Sequence, residues 1–457
     1  MKEVTIMLHI QKLNRTIFNG FGILLAAVLA LPAASQANNL NISQTPLSIG
    51  GLTEPDVMFT IDDSGSMGWE AMPDAIANIR NTSFPSSNSW TNSNTYSRYY
   101  DPTSSSVTQI RSPNINTIFY NPAIRYYPWS NSNGSLMANA DPTCAQYDPM
   151  APNATTCVNF TIPHVVGGAP TGTLWPADYY IYNGGGQTTA SNYTHVVIQP
   201  GTTYTTSANR TDCASAPTCT FTEEVQNYAN WFQYYRERLM TAKAGISRAF
   251  AAQPTSMRVG YGSINTTSHT VDGVSTRTVI SGVRHFDGVN RTNFFTNLFN
   301  QTTNGSTPLR QALEGVGQYF KRTDNAGPWG NTPGDNTDNT PHSTCRQVFN
   351  ILMTDGYWNG NNPNYVTGNV DNSNGPTITM PDGSTYQYTA ANPYKDSYSV
   401  TLADVAMYYW NHDLRTDLAN NVPSISAKDP AKWQHLVNFT VGLGVQGTLD
   451  SDPNSPT

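Results

Sequence analysis

The apolar run Val57-Met58-Phe59-Thr60-Ile61 leads straight into Asp62-Asp63-Ser64-Gly65-Ser66, and no other stretch constrains the fold so tightly. A continuous β-prone run, rather than an alternating one, reads as a strand buried on both faces, as in parallel sheets covered by helices. The Asp-x-Ser-x-Ser that follows places one carboxylate and two hydroxyls on the tight turn at the strand's carboxyl end. Hard oxygen donors crowded on one turn suit a hard divalent cation, and Mg²⁺ takes about six oxygens in near-octahedral array. Three donors leave such a shell incomplete, so further oxygen ligands are expected elsewhere in the chain.

The start of the chain reads as an export signal over residues 1–37. Lys2, Lys12 and Arg15 precede the apolar core Phe21–Leu31, and Pro32 and small residues lead to a cleavage site after Ala37. That core is shorter than the roughly 20 residues of a membrane span. The mature chain, 38–457, is therefore expected to be exported, with no stable membrane span after cleavage. Charged residues make up 12% of the chain and the formal net charge is −7, against about 25% charged residues in typical proteins. With no basic face, nucleic-acid binding is excluded. Few charges and 25 tyrosines suit an exported binding surface, because rigid amphipathic rings bury area at small entropy loss. Five cysteines follow the signal. Local pairs, Cys144 with Cys157 and Cys213 with Cys219, are the economical expectation in an oxidising compartment, each restricting the unfolded chain by about 3 kcal/mol. Cys345 is left over, either a buried thiol beside a core strand or paired outside this chain.

Residues 81–220 are rich in Asn, Ser, Thr, Pro, Gly and Tyr and carry both cysteine pairs. A structureless loop of that length is implausible in one domain, so the segment is expected to be a disulfide-stapled inserted subdomain. Helical spacing then begins, with Val225, Tyr228, Trp231, Phe232, Tyr235, Leu239, Ala242, Ile246 and Phe250 on one stripe, Thr222 as N-cap and Pro254 closing the segment. Strands are expected over 257–264 and 277–286 and a short helix over 292–299. A helix opened by Thr307 as N-cap and Pro308 at its first position follows. Val348–Met353 reads as another buried strand, ending in Thr354-Asp355-Gly356. A smaller polar insertion over about 357–395, a helix over 399–419 and a last strand over 437–445 complete the chain. Apolar strands alternating with amphipathic helices predict an α/β fold with a doubly wound, mostly parallel sheet and large polar insertions. In such sheets ligands bind at the carboxyl ends of the strands, beside the switch in strand order.

Asp62, Ser64, Ser66, Thr307 and Asp355 fall in that order on three such loops. Each taken alone has an ordinary role, as a turn residue, a helix cap or an Asx turn; the ordered set points to a metal. It resembles the metal-ion-dependent adhesion site of von Willebrand factor A domains. Arg238–Lys243, Met257–Ile264, Gly305–Leu313 and Ile351–Gly356 are similar to that family's first long helix, next core strand and second and third ligand loops. The resemblance implies that Ser64, Ser66 and Thr307 are direct hydroxyl ligands and that Asp62 and Asp355 act directly or through water. The cation would most readily be Mg²⁺, with Mn²⁺ or Ca²⁺ as alternatives, and one coordination position would stay open for a partner's carboxylate. Asp63 is expected to be a neighbour of the site.

The long polar insertion before residue 223, Ser343-Thr-Cys345-Arg346, and Asp355-Gly-Tyr-Trp-Asn359 together resemble the PilC/PilY family of type IV pilus tip-associated adhesins and biogenesis factors. The likeness covers the mature chain as a von Willebrand factor A-like domain over 38–457, matching the family's amino-terminal half. Members continue into a β-propeller-like domain with a calcium loop, whereas this sequence stops soon after the strand at 437–445. The resemblance implies a pilus-tip module, reaching the cell surface through the periplasm and outer membrane. Its implied partners are minor pilins and an acidic group on a host or abiotic surface. A non-catalytic assembly scaffold with a purely structural metal site is the alternative. An enzyme is not expected: HExxH, GxxxxGK and GxSxG are absent and the eight histidines are scattered without ligand spacing. Asp335 and Asp338 are expected to lie in a solvated turn.

Overall fold

The computed structural model describes residues 53–76, 105–153, 157–161, 177–424 and 429–444. The expected export signal over 1–37 and parts of the expected first insertion lie outside the described residues. Among the described residues, no helix is long and apolar enough to cross a membrane.

The fold is mixed α/β around a five-stranded, mainly parallel sheet. Its strands are β1 (Asp56–Ile61), β2 (Arg258–Ser263), β3 (Val279–His285), β4 (Val348–Thr354) and β5 (Val437–Gly442), in spatial order β5-β4-β1-β2-β3. β1 runs parallel to both neighbours, with Phe59 level with Ile351 on one side and Tyr261 on the other. β5 is parallel to β4, and β3 is antiparallel to β2. All six β1 residues are buried, which explains the unbroken apolar run. The chain extends outward from β1 through β2 to β3 and then returns to the far side of β1 for β4 and β5. The switch in strand order therefore lies between β1 and β4, where α/β sheets form a crevice.

Among the described residues, five helices of ten or more residues accompany the sheet: α1 (Phe221–Tyr235), α2 (Arg238–Ala251), α3 (Gly288–Asn300), α4 (Leu309–Phe320) and α5 (Leu402–Asn411). Alternation along β1 decides which helices it meets. Phe59 and Ile61 pack with Leu239, Ile246 and Phe250 of α2 and with Phe294 and Leu298 of α3. Met58 belongs to the cluster formed by Leu313, Val316 and Phe320 of α4 and Val405 and Tyr409 of α5. Both faces are thus covered. The edge strand β5 is more open, with Phe439 52% exposed.

The single helical stripe expected from residue 223 towards Pro254 is two helices. Thr220, not Thr222, caps the first: its hydroxyl accepts from Glu223 N, and the Glu223 carboxylate accepts from Thr220 N. The stripe breaks at Glu237, whose backbone is extended. Side chains take over the carbonyls that a continuing helix would use. Trp129 Nε1 donates to Tyr234 O at 2.9 Å, Thr241 Oγ1 to Tyr235 O at 2.7 Å, and Arg236 to Phe232 O at 3.0 Å. Apolar periodicity does not register such polar capping, whether from the neighbouring Thr241 and Arg236 or from the distant Trp129. The helix expected over 399–419 ends at Asn411.

The described part of the first insertion wraps α1. Phe119, Tyr120, Tyr126, Phe160 and Tyr179 form a core with Tyr228, Trp231 and Phe232. Amides of α1 satisfy the insertion's backbone: Asn227 Oδ1 accepts from Tyr126 N and Asn230 Oδ1 from Ala140 N. Cys144–Cys157 and Cys213–Cys219 are disulfides, and Cys345 is a half-buried free thiol near Thr53.

Candidate functional site

The β1 and β4 strands end side by side, which brings Asp62 and Asp355 to the same rim of the sheet. Both are completely buried. Asp62 Oδ1 accepts from Ser64 N at 2.8 Å, closing the Asx turn that lifts Ser64 and Ser66 over the strand end. Its Oδ2 accepts from Thr354 Oγ1 at 2.6 Å, so the last residue of β4 fixes the carboxylate of β1. Ser64 Oγ lies 3.0 Å from Ser66 Oγ, and Ser66 Oγ donates to Asp355 Oδ1 at 2.9 Å. Two hydroxyls and a carboxylate oxygen thus form a connected group.

Thr307 sits on the loop before α4, and the structure brings that loop onto the turn through backbone groups. Gly65 N donates to Gly305 O at 3.3 Å and Asn304 N to Asp63 O at 2.6 Å. Gly305 has φ of +77° and lies so close to Asn265 that a Cβ would sit 2.7 Å from its Oδ1, so glycine is required there. Thr307 is not the helix cap expected from sequence. Pro308 occupies that position, and Thr307 N is instead engaged by Asn359 Oδ1 at 2.7 Å. Its hydroxyl is therefore not used as a helix cap. Asp63 is a strut: it accepts from Asn265 N at 3.1 Å and from Gln301 Nε2 at 3.1 Å, tying three loops together.

Burial pushes the carboxyls of both Asp62 and Asp355 above the usual range. For Asp355 a hydrogen bond from Arg238 opposes that shift and the nearby Asp62 charge adds to it. Arg238, fully buried at the start of α2, donates to Asp355 Oδ2 at 2.8 Å, to Asp74 at 2.6 Å and to Ala71 O at 2.8 Å. Its guanidinium also lies 4.9 Å from the Trp69 ring centroid.

The chain is 32% identical to the type IV pilus biogenesis factor PilY1 of Pseudomonas aeruginosa strain PAK, over 93% of this chain and 35% of that protein. The PilY1 protein of strain UCBPP-PA14 is 30% identical, over 91% of this chain and 34% of that relative. The chain belongs to the PilC/PilY family. It spans about a third of the length of these curated relatives. No family model and no solved structure matches the chain.

Family membership applies to nearly the whole chain, so the loops that form the site lie within it. Sequence reasoning missed Arg238 as the partner of Asp355 and Thr354 as the partner of Asp62. Arg238 stands 117 residues from Asp355, and nothing local marks it. Thr354 was visible only as the neighbour of Asp355. Asp335 and Asp338 lie in exposed turns, where each accepts from the threonine two residues on. Among the described residues, no three His, Cys, Asp or Glu side chains group as a metal site; the set above depends instead on hydroxyls.

Proposed function

We propose that this chain is the metal-dependent binding module of a type IV pilus factor, built as a von Willebrand factor A-like domain and contributing to pilus assembly and surface attachment. The strand order and its switch between β1 and β4 support the fold assignment, and the relatives' description as pilus biogenesis factors supports the setting. The observation that carries the metal reading is the spacing of the oxygens. Neighbouring ligands about 2.1 Å from an octahedral Mg²⁺ sit roughly 3 Å apart, and Ser64, Ser66 and Asp355 present oxygens at 3.0 and 2.9 Å. Ser64, Ser66 and Asp355 would hold the cation, with Thr307 and Asp62 completing the set directly or through water. When bound, the cation would supply an electrophilic position for an acidic oxygen of a partner. Asp62 orients the serine turn, and Arg238 holds Asp355 in place while neutralising part of its charge.

Calorimetric titration of Mg²⁺ into the protein tests this, comparing it with Ser64→Ala plus Ser66→Ala. That pair removes two ligands and leaves no buried charge unpaired. Saturable binding that disappears in the folded double variant supports the site; silence of the unaltered protein towards Mg²⁺, Mn²⁺ and Ca²⁺ refutes it. The Arg238–Asp355 ion pair favours a second reading, an assembly scaffold in which the cation only fastens loops. In that case chelation lowers stability without changing attachment.

A further inference from the structure

A cleft of about 790 Å³ opens between α5, β5 and the hairpin formed by Ile378–Thr379 and Thr385–Tyr386. It lies outside the site described above. The Trp410 ring stands at 89° to both Tyr386 and Tyr388, with centroids 6.5 and 6.1 Å away. These rings form walls at right angles. Trp410 is held by its indole N–H, which donates to Asp429 Oδ1 at 3.0 Å. Tyr394, 54% exposed, lines the same cleft.

Two buried polar atoms on this lining lack partners among the described residues. Asp371 is 1% exposed; its Oδ1 accepts from Asp396 N at 3.1 Å, but Oδ2 has no hydrogen bond. Asn438 is oriented by a ladder across the sheet. Thr60 Oγ1 donates to Asn350 Oδ1 at 2.9 Å, and Asn350 Nδ2 donates to Asn438 Oδ1 at 3.1 Å, leaving Asn438 Nδ2 unpaired. Leaving such a buried atom without a partner is destabilising, and an unsatisfied pair on one cleft calls for an explanation. The charge around the cleft is one-sided. Asp404 and Asp396 add negative potential at Asp371, and no Lys or Arg is among the described lining residues.

We propose that this cleft binds a small organic cation: an ammonium group, with an oxygen acceptor on the same molecule. The ammonium charge would compensate Asp371 Oδ2, donating an N–H to it where the head group has one, and lie among the aromatic rings of Tyr386, Tyr388 and Trp410, whose faces attract cations. The acceptor would take the free N–H of Asn438. A neutral sugar would use the rings but leave the buried carboxylate uncompensated.

Calorimetric titration of the full chain with choline and, separately, with N-acetyl-lysinamide tests the proposal. Choline's neutral isostere 3,3-dimethylbutan-1-ol and methyl glucoside serve as comparisons. At least one ammonium compound is expected to bind saturably, and roughly tenfold more tightly than either neutral compound. Binding of choline alone assigns a quaternary head group, and binding of the lysinamide alone a primary amine. Asp371→Asn, which keeps the acceptor for Asp396 N–H, should weaken binding by roughly tenfold without lowering the unfolding midpoint. Tyr394→Ala, an exposed position, should weaken it to a smaller extent. The proposal is overturned if neither ammonium compound binds, if a neutral compound binds as tightly, or if Asp371→Asn leaves the affinity unaltered.

Discussion

Arg238 and Asp355 form an ion pair at 2.8 Å with both side chains fully buried. It joins the first turn of α2 to the loop after β4, directly beneath the hydroxyl group of Ser66 that also contacts Asp355. A buried carboxylate is tolerated only when paired and hydrogen-bonded, so this arginine is what allows an acidic residue to stand at the end of a core strand. It also limits the charge that Asp355 can offer to a bound cation.

Arg238→Met should therefore destabilise the protein strongly. Removing one partner of a buried pair costs about 3–5 kcal/mol, visible as a drop in the urea midpoint in chelator-containing buffer. Adding Mg²⁺ should recover part of the loss, because the cation then compensates Asp355. A loss below about 1 kcal/mol would match an exposed pair and contradict the burial seen here.

Thr354→Val keeps the shape of the side chain and removes the hydroxyl that donates to Asp62 Oδ2 at 2.6 Å. A hydrogen bond to a charged group contributes about 1.5–3 kcal/mol, and a loss of that size is expected by chemical denaturation. The freed carboxylate should also loosen the Ser64 turn, seen as faster amide exchange at Ser64 than in the unaltered protein. Unchanged exchange at Ser64 would mean that Thr354 does not position Asp62.

At Gly317 the α4 backbone packs closely against Tyr409 of α5. A Cβ at that position would run into the Tyr409 ring, which Gln318 Nε2 holds by its hydroxyl at 2.7 Å. Gly317→Ala gains helix propensity of about 1 kcal/mol, but overpacking of about 1–3 kcal/mol should outweigh it and leave a net loss of up to about 2 kcal/mol. Thermal unfolding decides the sign; a raised midpoint would show that Tyr409 moves aside freely.

Burial lowers the Lys243 ammonium from its usual value to about 8, although the amine donates to Phe299 O at 2.8 Å and Gln301 O at 2.7 Å. Between about pH 8 and 10.5 the unfolded chain keeps a proton that the folded chain has released. The unfolded state then binds more protons, so this residue makes stability rise with pH in that window. Buried tyrosines, raised above their usual values by desolvation, act in the opposite direction at higher pH. The clean measurement is therefore the difference from Lys243→Met between pH 7.5 and pH 9, which should favour the unaltered protein by about 1 kcal/mol. Parallel pH dependences in the two proteins would show that Lys243 stays protonated.

Much of this organisation is legible in the amino-acid sequence. The unbroken run Val57–Ile61 marked a strand covered on both sides, because only a central strand needs apolar side chains in both directions. Both disulfides were readable from proximity in sequence, since short loops close with little entropy loss. Asp62, Ser64 and Ser66 were legible because their geometry is a turn spanning a few residues. The placement of Asp355 beside them followed from two strands ending at one rim. Local periodicity could not reveal the break at Glu237, where Trp129, Thr241 and Arg236 side chains take the helix carbonyls.

By itself, then, the sequence determined which segments are buried strands, which loops carry oxygen donors, and which cysteines pair. Those properties depend on residues close together along the chain. Only the tertiary structure decided that Arg238 neutralises Asp355, that Thr354 orients Asp62, and that Asp371 and Asn438 line one aromatic cleft with polar atoms unpaired. The reason is physical. Burial and ion pairing are set by distance in space, and a hydrogen bond between residues 117 positions apart leaves no periodic trace in the sequence.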